Sequence, residues 1–256
     1  MVAQPPTTLL TEHYDVGEPR CLGQGRYGPI IRARDIRTHE LVAVKVFNAA
    51  EAFHSGRLTG CATLQDAETE ALLQFQHEVR LMQRAGGGKP AAAARDAPWL
   101  AELPDCSAAV VKMLDHSKDA RGEPARADDG CCYLVMELGL FTMEQLVRDS
   151  REVGRRPSVP EVRETARSLL AMLTELHRCG CVLASHSPRH FMRFPSGWKV
   201  LAADALRPAA TAIETSGHRP EPLYLAPEFA SAVLAGSRSP HPAHAALSRG
   251  QHERSR

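Results

Sequence analysis

The stretch from Cys21 to Phe47 reads CLGQGRYGPIIRARDIRTHELVAVKVF, and its pattern decides the fold of the chain around it. Three glycines in it follow the spacing G-x-G-x-x-G: Gly23, Gly25 and Gly28. Glycine permits tight turns and lets backbone N–H groups approach a ligand with no Cβ in the way. The β-branched and aliphatic residues on either side favour strands. The stretch predicts three strands, joined by the glycine turn and by a polar turn at Arg37–Glu40, with Lys45 as a single cation in the third strand.

The glycine spacing alone does not identify a ligand, because dinucleotide-binding folds share it. In those folds a helix follows the glycines and an acidic residue comes about 20 residues later. Here a strand pattern follows, and the stretch closes on Val42-Ala43-Val44-Lys45. The combination resembles the glycine-rich loop and third-strand lysine of the protein kinase family. A plain glycine hairpin with an edge-strand lysine is the alternative that these residues leave open.

The resemblance implies that ATP binds between two lobes, with its phosphates under the glycine loop and in contact with Lys45. It assigns these residues to nucleotide binding: Gly23, Gly25, Gly28, Ile30, Ala43, Lys45, Glu137 and Leu138. In the family, a helix glutamate pairs with the lysine and positions it. A helix is predicted from about Gln65, because apolar residues recur at three- and four-residue spacing. Its Glu78 matches the family by local context, and Glu68 and Glu70 are the alternatives.

The composition sets outer limits on the function. A chain of 256 residues suits one domain or two small lobes. The net charge of +1 gives no indication of nucleic-acid binding, and the chain has no apolar run long enough to span a membrane. The seven cysteines form no C-x-x-C pair, which predicts free thiols in a reducing compartment. We therefore expect a cytoplasmic protein without a resident zinc site.

Further elements follow from periodicity and capping. Strands are predicted at Ala109–Leu114, Cys131–Leu138, Phe191–Phe194 and Trp198–Leu201, and a short amphipathic helix at Phe141–Asp149. Ser158 and Glu161 form a capping box that opens a helix to about Arg178. The predicted buried stripe of that helix is Val162, Ala166, Leu169, Leu170, Leu173 and Leu176. By resemblance, Cys131–Leu138 leads into the kinase hinge, where Glu137 and Leu138 present backbone groups to the adenine.

The residues that carry kinase chemistry are replaced in the segment that resembles the catalytic loop. Its flanks match the family, but the His-Arg-Asp triplet is Leu183-Ala184-Ser185. Ser185 stands where the catalytic aspartate accepts the substrate proton, and a serine is not a carboxylate base at neutral pH. Ser187 takes the place of the lysine two residues further on, and His190 takes that of a metal-binding asparagine.

The metal-binding Asp-Phe-Gly motif has two possible registers. Matching from Trp198 along the strand gives Ala202-Ala203-Asp204, which has no aspartate in first position. A shift of two gives Asp204-Ala205-Leu206, which keeps Asp204 as a magnesium ligand. Either register predicts weak or absent Mg²⁺ binding, because the coordination also needs the asparagine.

The resemblance resumes at Ala226-Pro227-Glu228, the end of a kinase activation segment, and then stops. It implies an α+β, two-lobe kinase fold with an incomplete helical C-lobe. The expected organisation is an arm at 1–14, a kinase-like domain at 15–228 and a disordered, basic tail at 229–256. Within the domain, the N-lobe covers about 15–138, the partial C-lobe about 139–228, and an insertion about 85–108.

These features predict an ATP-binding but catalytically impaired relative of the Ser/Thr protein kinases, a pseudokinase that contacts a regulatory protein partner. An active but divergent kinase with a protein substrate is the first alternative. A truncated fragment with no biochemical role is the second. Binding to nucleic acid or to a membrane is not expected.

Overall fold

The computed structural model describes residues 10–58, 60–87, 105–183, 186–201 and 206–209, together with Tyr224, Pro227 and Ser231. The chain is an α+β protein with antiparallel sheets and a few helices. Its internal contacts divide it into two units. The first comprises Met1–Gln83 and Val111–Gly139, and the second comprises Arg84–Val110 and Leu140–Arg256.

The first unit is built on a five-stranded antiparallel sheet. Its strands are β1 (Tyr14–Gln24), β2 (Pro29–Asp35), β3 (Leu41–Phe47), β4 (Met113–His116) and β5 (Cys132–Glu137). They lie in the order β1-β2-β3-β5-β4, so β5 is an interior strand. Its first five residues are all buried, as expected for an apolar run covered on both faces. The three strands predicted in the first 47 residues, and the interior strand, are confirmed.

A polar turn joins β2 to β3, as the sequence predicts. The Asp35 carboxylate accepts hydrogen bonds from the backbone N–H groups of Arg37, at 2.8 Å, and Thr38, at 3.0 Å. These bonds favour the ionised carboxylate and lower the pKa of Asp35. The short side chain thereby satisfies the backbone donors of the turn.

Three helices accompany this sheet: α1 (Leu10–His13), α2 (Ala49–His54) and α3 (Leu64–Ala85). The long helix α3 confirms the prediction from about Gln65, and its Phe75 and Val79 are fully buried. The sequence did not predict α2, whose Asn48 side chain caps the helix by accepting from the N–H of Glu51 at 3.0 Å. Within the predicted arm at 1–14, residues 10–13 are helical and Tyr14 begins β1.

In the described part of the second unit, helices are combined with two small sheets. The helices are α4 (Met143–Glu152) and α5 (Val159–Arg178), and a short 3-10 helix covers Pro188–His190. One sheet has the order β6 (Phe141–Thr142), β8 (Phe191–Phe194), β9 (Gly197–Val200). The other pairs β7 (Cys181–Leu183) with β10 (Leu206–Pro208). The predicted helix at Phe141–Asp149 therefore begins two residues later and follows a short strand.

Helix α5 corrects one prediction in part. Its capping box is present, since Ser158 and Glu161 exchange side-chain and backbone hydrogen bonds. The predicted buried stripe is present only toward the end of the helix: Leu176 is fully buried, whereas Val162 is 53% and Leu170 is 62% exposed. Burial is confined to Met172 and Leu176, near the end of the helix that leads into β7. Periodicity located the apolar face but not the part of it that packs.

Residues 105–110 belong to the second unit, although the sequence placed them in the first lobe. The N–H of Val200 donates to the carbonyl of Ala109 at 2.8 Å, and Val110 forms a parallel bridge with Val200. The predicted strand at Ala109–Leu114 is therefore wrong in its bounds, since β4 begins at Met113. Most of the predicted insertion, at 88–104, and the predicted tail at 229–256, apart from Ser231, lie outside the described residues.

All seven cysteines are free thiols, as their irregular spacing predicts. None of the helices that the structure describes is long and apolar enough to cross a membrane.

The first prediction concerns the close approach of Gly28 to β3. A Cβ at this position would lie 2.5 Å from the carbonyl oxygen of Val46, a distance that real Cβ atoms do not adopt. Gly28→Ala should therefore force the backbone apart, cost about 1–3 kcal/mol and lower Tm by several degrees. Gly23→Ala is the matched control, because no atom lies within 4 Å of its Cβ position. Equal melting temperatures for the two variants would contradict this packing.

Candidate functional site

The glycine turn between β1 and β2 lies directly against β3. The N–H of Gly25 donates to the carbonyl of Gly28 at 2.8 Å, which closes the turn. A Cβ added to Gly25 would lie 3.1 Å from the Gly28 oxygen and 3.9 Å from Cε of Lys45. The lysine side chain thus lies beside the turn, and only the Gly28 oxygen is close enough to restrict a side chain at Gly25.

Lys45 is held in place from both sides along the sheet. In the strand pairing it lies opposite Ile30 of β2 and Leu134 of β5. Its Nζ donates to both carboxylate oxygens of Glu78, at 2.7 and 2.8 Å. The side chain of Lys45 is 22% exposed and that of Glu78 only 5%. The pair therefore joins β3 to α3 through a largely buried contact between full charges.

Glu78 is placed by the packing of its helix. Its neighbours Phe75 and Val79 are fully buried, and the Phe75 ring lies edge-on to Phe47 of β3, with 5.4 Å between centroids. This packing places the carboxylate of Glu78 within hydrogen-bond distance of Lys45 on β3. The two alternative carboxylates have other partners: Glu68 pairs with Arg126 at 3.1 Å, and Glu70 with Arg26 at 2.9 Å.

The ammonium of Lys45 also lies 5.0 Å from the ring centroid of Phe47, within the range of a cation–π contact. An ammonium in apolar surroundings keeps its charge when a carboxylate compensates it. It then presents a compact positive charge beside the glycine turn, where a phosphate would find both backbone N–H groups and a cation.

The end of β5 is the segment that the family resemblance identifies with the hinge. Ala43 lies opposite Met136, and both residues are buried. The N–H of Glu137 donates to the carbonyl of Lys112 at 3.0 Å, and the Glu137 carboxylate accepts from the N–H of Lys112 at 2.7 Å. The Glu137 N–H is thus already used within the sheet. Leu138 follows the strand and is half-buried.

The predicted catalytic and metal positions fall largely outside the structure. Ser185 and Asp204 lie outside the described residues, and so does the whole first register of the metal motif, 202–204. His190 is described: its N–H donates to the carbonyl of Ser187 at 2.9 Å, and its own carbonyl accepts from Leu201 at 2.7 Å. Within the described part of the chain, no three potential ligands cluster as a metal site would require.

Sequence reasoning missed a group of residues around Glu70. This carboxylate accepts hydrogen bonds from Tyr27 at 3.1 Å and Cys61 at 3.0 Å, besides its pair with Arg26. The only signal in the sequence was an arginine and a tyrosine inside the glycine turn, followed by acidic residues at the start of α3. No local pattern connects the two segments.

No family model matches the chain, and no curated protein matches it either. The functional interpretation therefore depends on the residues and geometry described above.

The second prediction tests the Lys45–Glu78 pair by a double-mutant cycle. Lys45→Met leaves the buried Glu78 carboxylate without its ammonium and should cost about 3–5 kcal/mol, the usual cost of a buried charge left without its partner. Glu78→Met should cost less, because Lys45 is the more exposed partner and its ammonium keeps part of its hydration. The double variant should be more stable than Lys45→Met alone. Denaturant unfolding measures all four proteins, and strictly additive effects would mean that the two charges do not interact.

Proposed function

We propose that the chain is a member of the protein kinase family with a two-lobe fold, that it binds ATP, and that its phosphoryl-transfer activity is impaired. In this proposal it acts as a pseudokinase, through contact with a regulatory protein partner. The observation that carries the proposal is the contact of Lys45 with both oxygens of Glu78, beside a turn built on Gly25 and Gly28.

The arrangement of the first unit supports this assignment. Five antiparallel strands, one long helix and a glycine turn are combined so that the third strand supplies a lysine and the helix supplies its carboxylate. Kinases use this pair to position the lysine that contacts the nucleotide phosphates. A plain hairpin with an edge-strand lysine does not account for these contacts, since β3 is an interior strand.

ATP supplies the triphosphate and the transferable phosphoryl group, and the residues present suit its phosphate end. The proposed contacts are the ammonium of Lys45 and the backbone N–H groups of the glycine turn other than that of Gly25, which already donates to the carbonyl of Gly28. Ile30 and Ala43 lie on the adjoining strands, where the family resemblance places contacts to the rest of the nucleotide. Backbone groups of Glu137 and Leu138 are the proposed contacts to the adenine, and the N–H of Glu137 already donates to the carbonyl of Lys112.

The impaired activity follows from the residues at the catalytic positions. Ser185 has no carboxylate with which to accept a proton from a substrate hydroxyl, and loss of a positioned base lowers rates by about 10²–10⁴. Mg²⁺ binding is proposed to be weak or absent, since His190 stands in place of an asparagine and only Asp204 remains as a carboxylate ligand. Seven free thiols suit a reducing compartment such as the cytoplasm.

An active, divergent Ser/Thr kinase is the second candidate, and the intact Lys45–Glu78 pair favours it, because active kinases require this pair. Positioning and electrostatic stabilisation carry most of the catalysis of phosphoryl transfer, so a chain that keeps them retains a route to slow turnover. In this case Asp204 would hold the magnesium ion.

The third prediction is that Mg-ATP raises the Tm of the purified chain and that Lys45→Ala removes the rise. At a ligand concentration of 100 times Kd, binding adds about 2.7 kcal/mol to the free energy of unfolding. For each protein, the Tm with Mg-ATP is compared with the Tm without it. A variant that is less stable without nucleotide can then still be compared with the wild type. Lys118→Ala is the matched control, because Lys118 pairs with Asp115 on the surface of the same unit.

Each outcome of the thermal shift has a definite meaning. A rise in the wild type and in Lys118→Ala, absent in Lys45→Ala, supports nucleotide binding at the proposed site. A cooperative transition that ATP leaves unchanged in the wild type would refute both the pseudokinase and the active-kinase proposals.

The fourth prediction concerns turnover. With a generic protein substrate, phosphate transfer should stay at the background rate set by Lys45→Ala. Measurable transfer that both Lys45→Ala and Asp204→Ala abolish would instead establish the active-kinase alternative. It would also assign the register in which Asp204 is the metal ligand.

A further inference from the structure

Three side chains converge on the carboxylate of Glu70, in the second turn of α3. Its Oε1 accepts from the hydroxyl of Tyr27 at 3.1 Å and pairs with the guanidinium of Arg26 at 2.9 Å. Its Oε2 accepts from the thiol of Cys61 at 3.0 Å. These four residues are called the Glu70 cluster, and all of them lie in the first unit.

The cluster fixes the centre of the glycine turn to α3. Tyr27 is only 5% exposed, and its ring stacks on Phe47 with 5.6 Å between centroids. Burial, outweighing the adjacent Arg26, raises the pKa of the Tyr27 hydroxyl, so it remains a hydrogen-bond donor at neutral pH. The Tyr27 carbonyl accepts from the N–H of Asn48 at 2.9 Å. The turn is thus held through both the side chain and the backbone of one residue.

One helix therefore holds both parts of the proposed phosphate site. Glu70 and Glu78 are eight residues apart on α3, which corresponds to about 12 Å along the helix axis. Glu70 contacts the turn that contains Gly25 and Gly28, and Glu78 contacts Lys45. The turn and the lysine thus share α3 as a common contact.

We propose that Glu70 is a positioning residue for the glycine turn: through Tyr27 and Arg26 it holds the turn in the conformation that contacts the phosphates of a nucleotide. The inference rests on the proposed ATP-binding function and deepens it. It predicts that removing the Glu70 carboxylate weakens the binding of the phosphates while leaving the contacts to the nucleoside intact.

The test compares Glu70→Ala with Glu68→Ala. Glu68 is a matched control, because it lies on the same helix, has a similar side-chain exposure of 39% against 35%, and also forms an ion pair with an arginine. The Kd for ATP and the Kd for adenosine are measured by calorimetry for both variants and for the wild type. Glu70→Ala should weaken ATP binding about tenfold, the order expected from a lost hydrogen bond to a charged group, and leave adenosine binding unchanged. Glu68→Ala should change neither, and Tyr27→Phe should follow Glu70→Ala in direction.

A second measurement is independent of the nucleotide. Hydrogen exchange without ligand follows the backbone N–H groups of Gly25 and Asn48, whose acceptors both lie within the turn. Their exchange should become faster in Glu70→Ala and Tyr27→Phe but not in Glu68→Ala. Unchanged exchange in Glu70→Ala would overturn the inference.

Three further outcomes would also overturn it. If ATP and adenosine affinities fall together, Glu70 supports the fold and not the phosphate contacts. If the exchange becomes faster but the ATP affinity stays at the wild-type value, the turn does not need to be held for binding. If the wild type binds no ATP, the proposed function fails and the phosphate role of Glu70 fails with it. In that case the exchange data still decide whether Glu70 holds the turn.

Discussion

The first unit depends on one ion pair, in which the ammonium of Lys45 compensates the charge of the buried Glu78 carboxylate. Removing Glu78 from water is unfavourable by several kcal/mol unless a cation meets it, and Lys45 does so with both oxygens in contact. This requirement restricts the register of the sheet. A slip of β3 by one residue would turn Lys45 to the opposite face and leave the carboxylate without its cation. The packing of Phe47 on Phe75 depends on the same register, because Phe47 lies two residues from Lys45 and so on the same face.

The elements that sequence predicted well are those whose signals are local. The capping box at Ser158, the interior strand Cys132–Glu137 and the stripe containing Phe75 and Val79 each carry a complete pattern within a few residues. Helix α2 has only six residues and a mixed composition, so periodicity cannot detect it. The exposed face of α5 shows a different limit: an apolar stripe predicts a preference for burial, whereas burial itself needs a packing partner from elsewhere in the chain.

The same distinction applies to the candidate site. Glu78 was selected from three carboxylates by its local resemblance to the family. In the structure it is buried, whereas Glu68 and Glu70 are more exposed. The role of Glu70 could not be predicted, since it depends on contacts between residues 43 positions apart. The hydrogen bond from the N–H of Glu137 to Lys112 could not be predicted either, because the sequence analysis gave the strand that contains Lys112 different bounds. The chemistry proposed at Ser185 and Asp204 still comes from residue identity alone.

The packing of Gly28 bears on how the motif would change as the sequence diverges. Every other residue carries a Cβ that would meet the Val46 carbonyl, so folding alone is expected to disfavour any replacement of this glycine. Gly25 is constrained in the same way, though less tightly, by the Gly28 oxygen. Gly23 has open space around it, so a lineage that no longer used a nucleotide would be free to lose it. If the proposed nucleotide binding holds, drift at Gly23 among descendants of this chain would accompany its loss, while persistence of Gly28 would show only that the protein still folds.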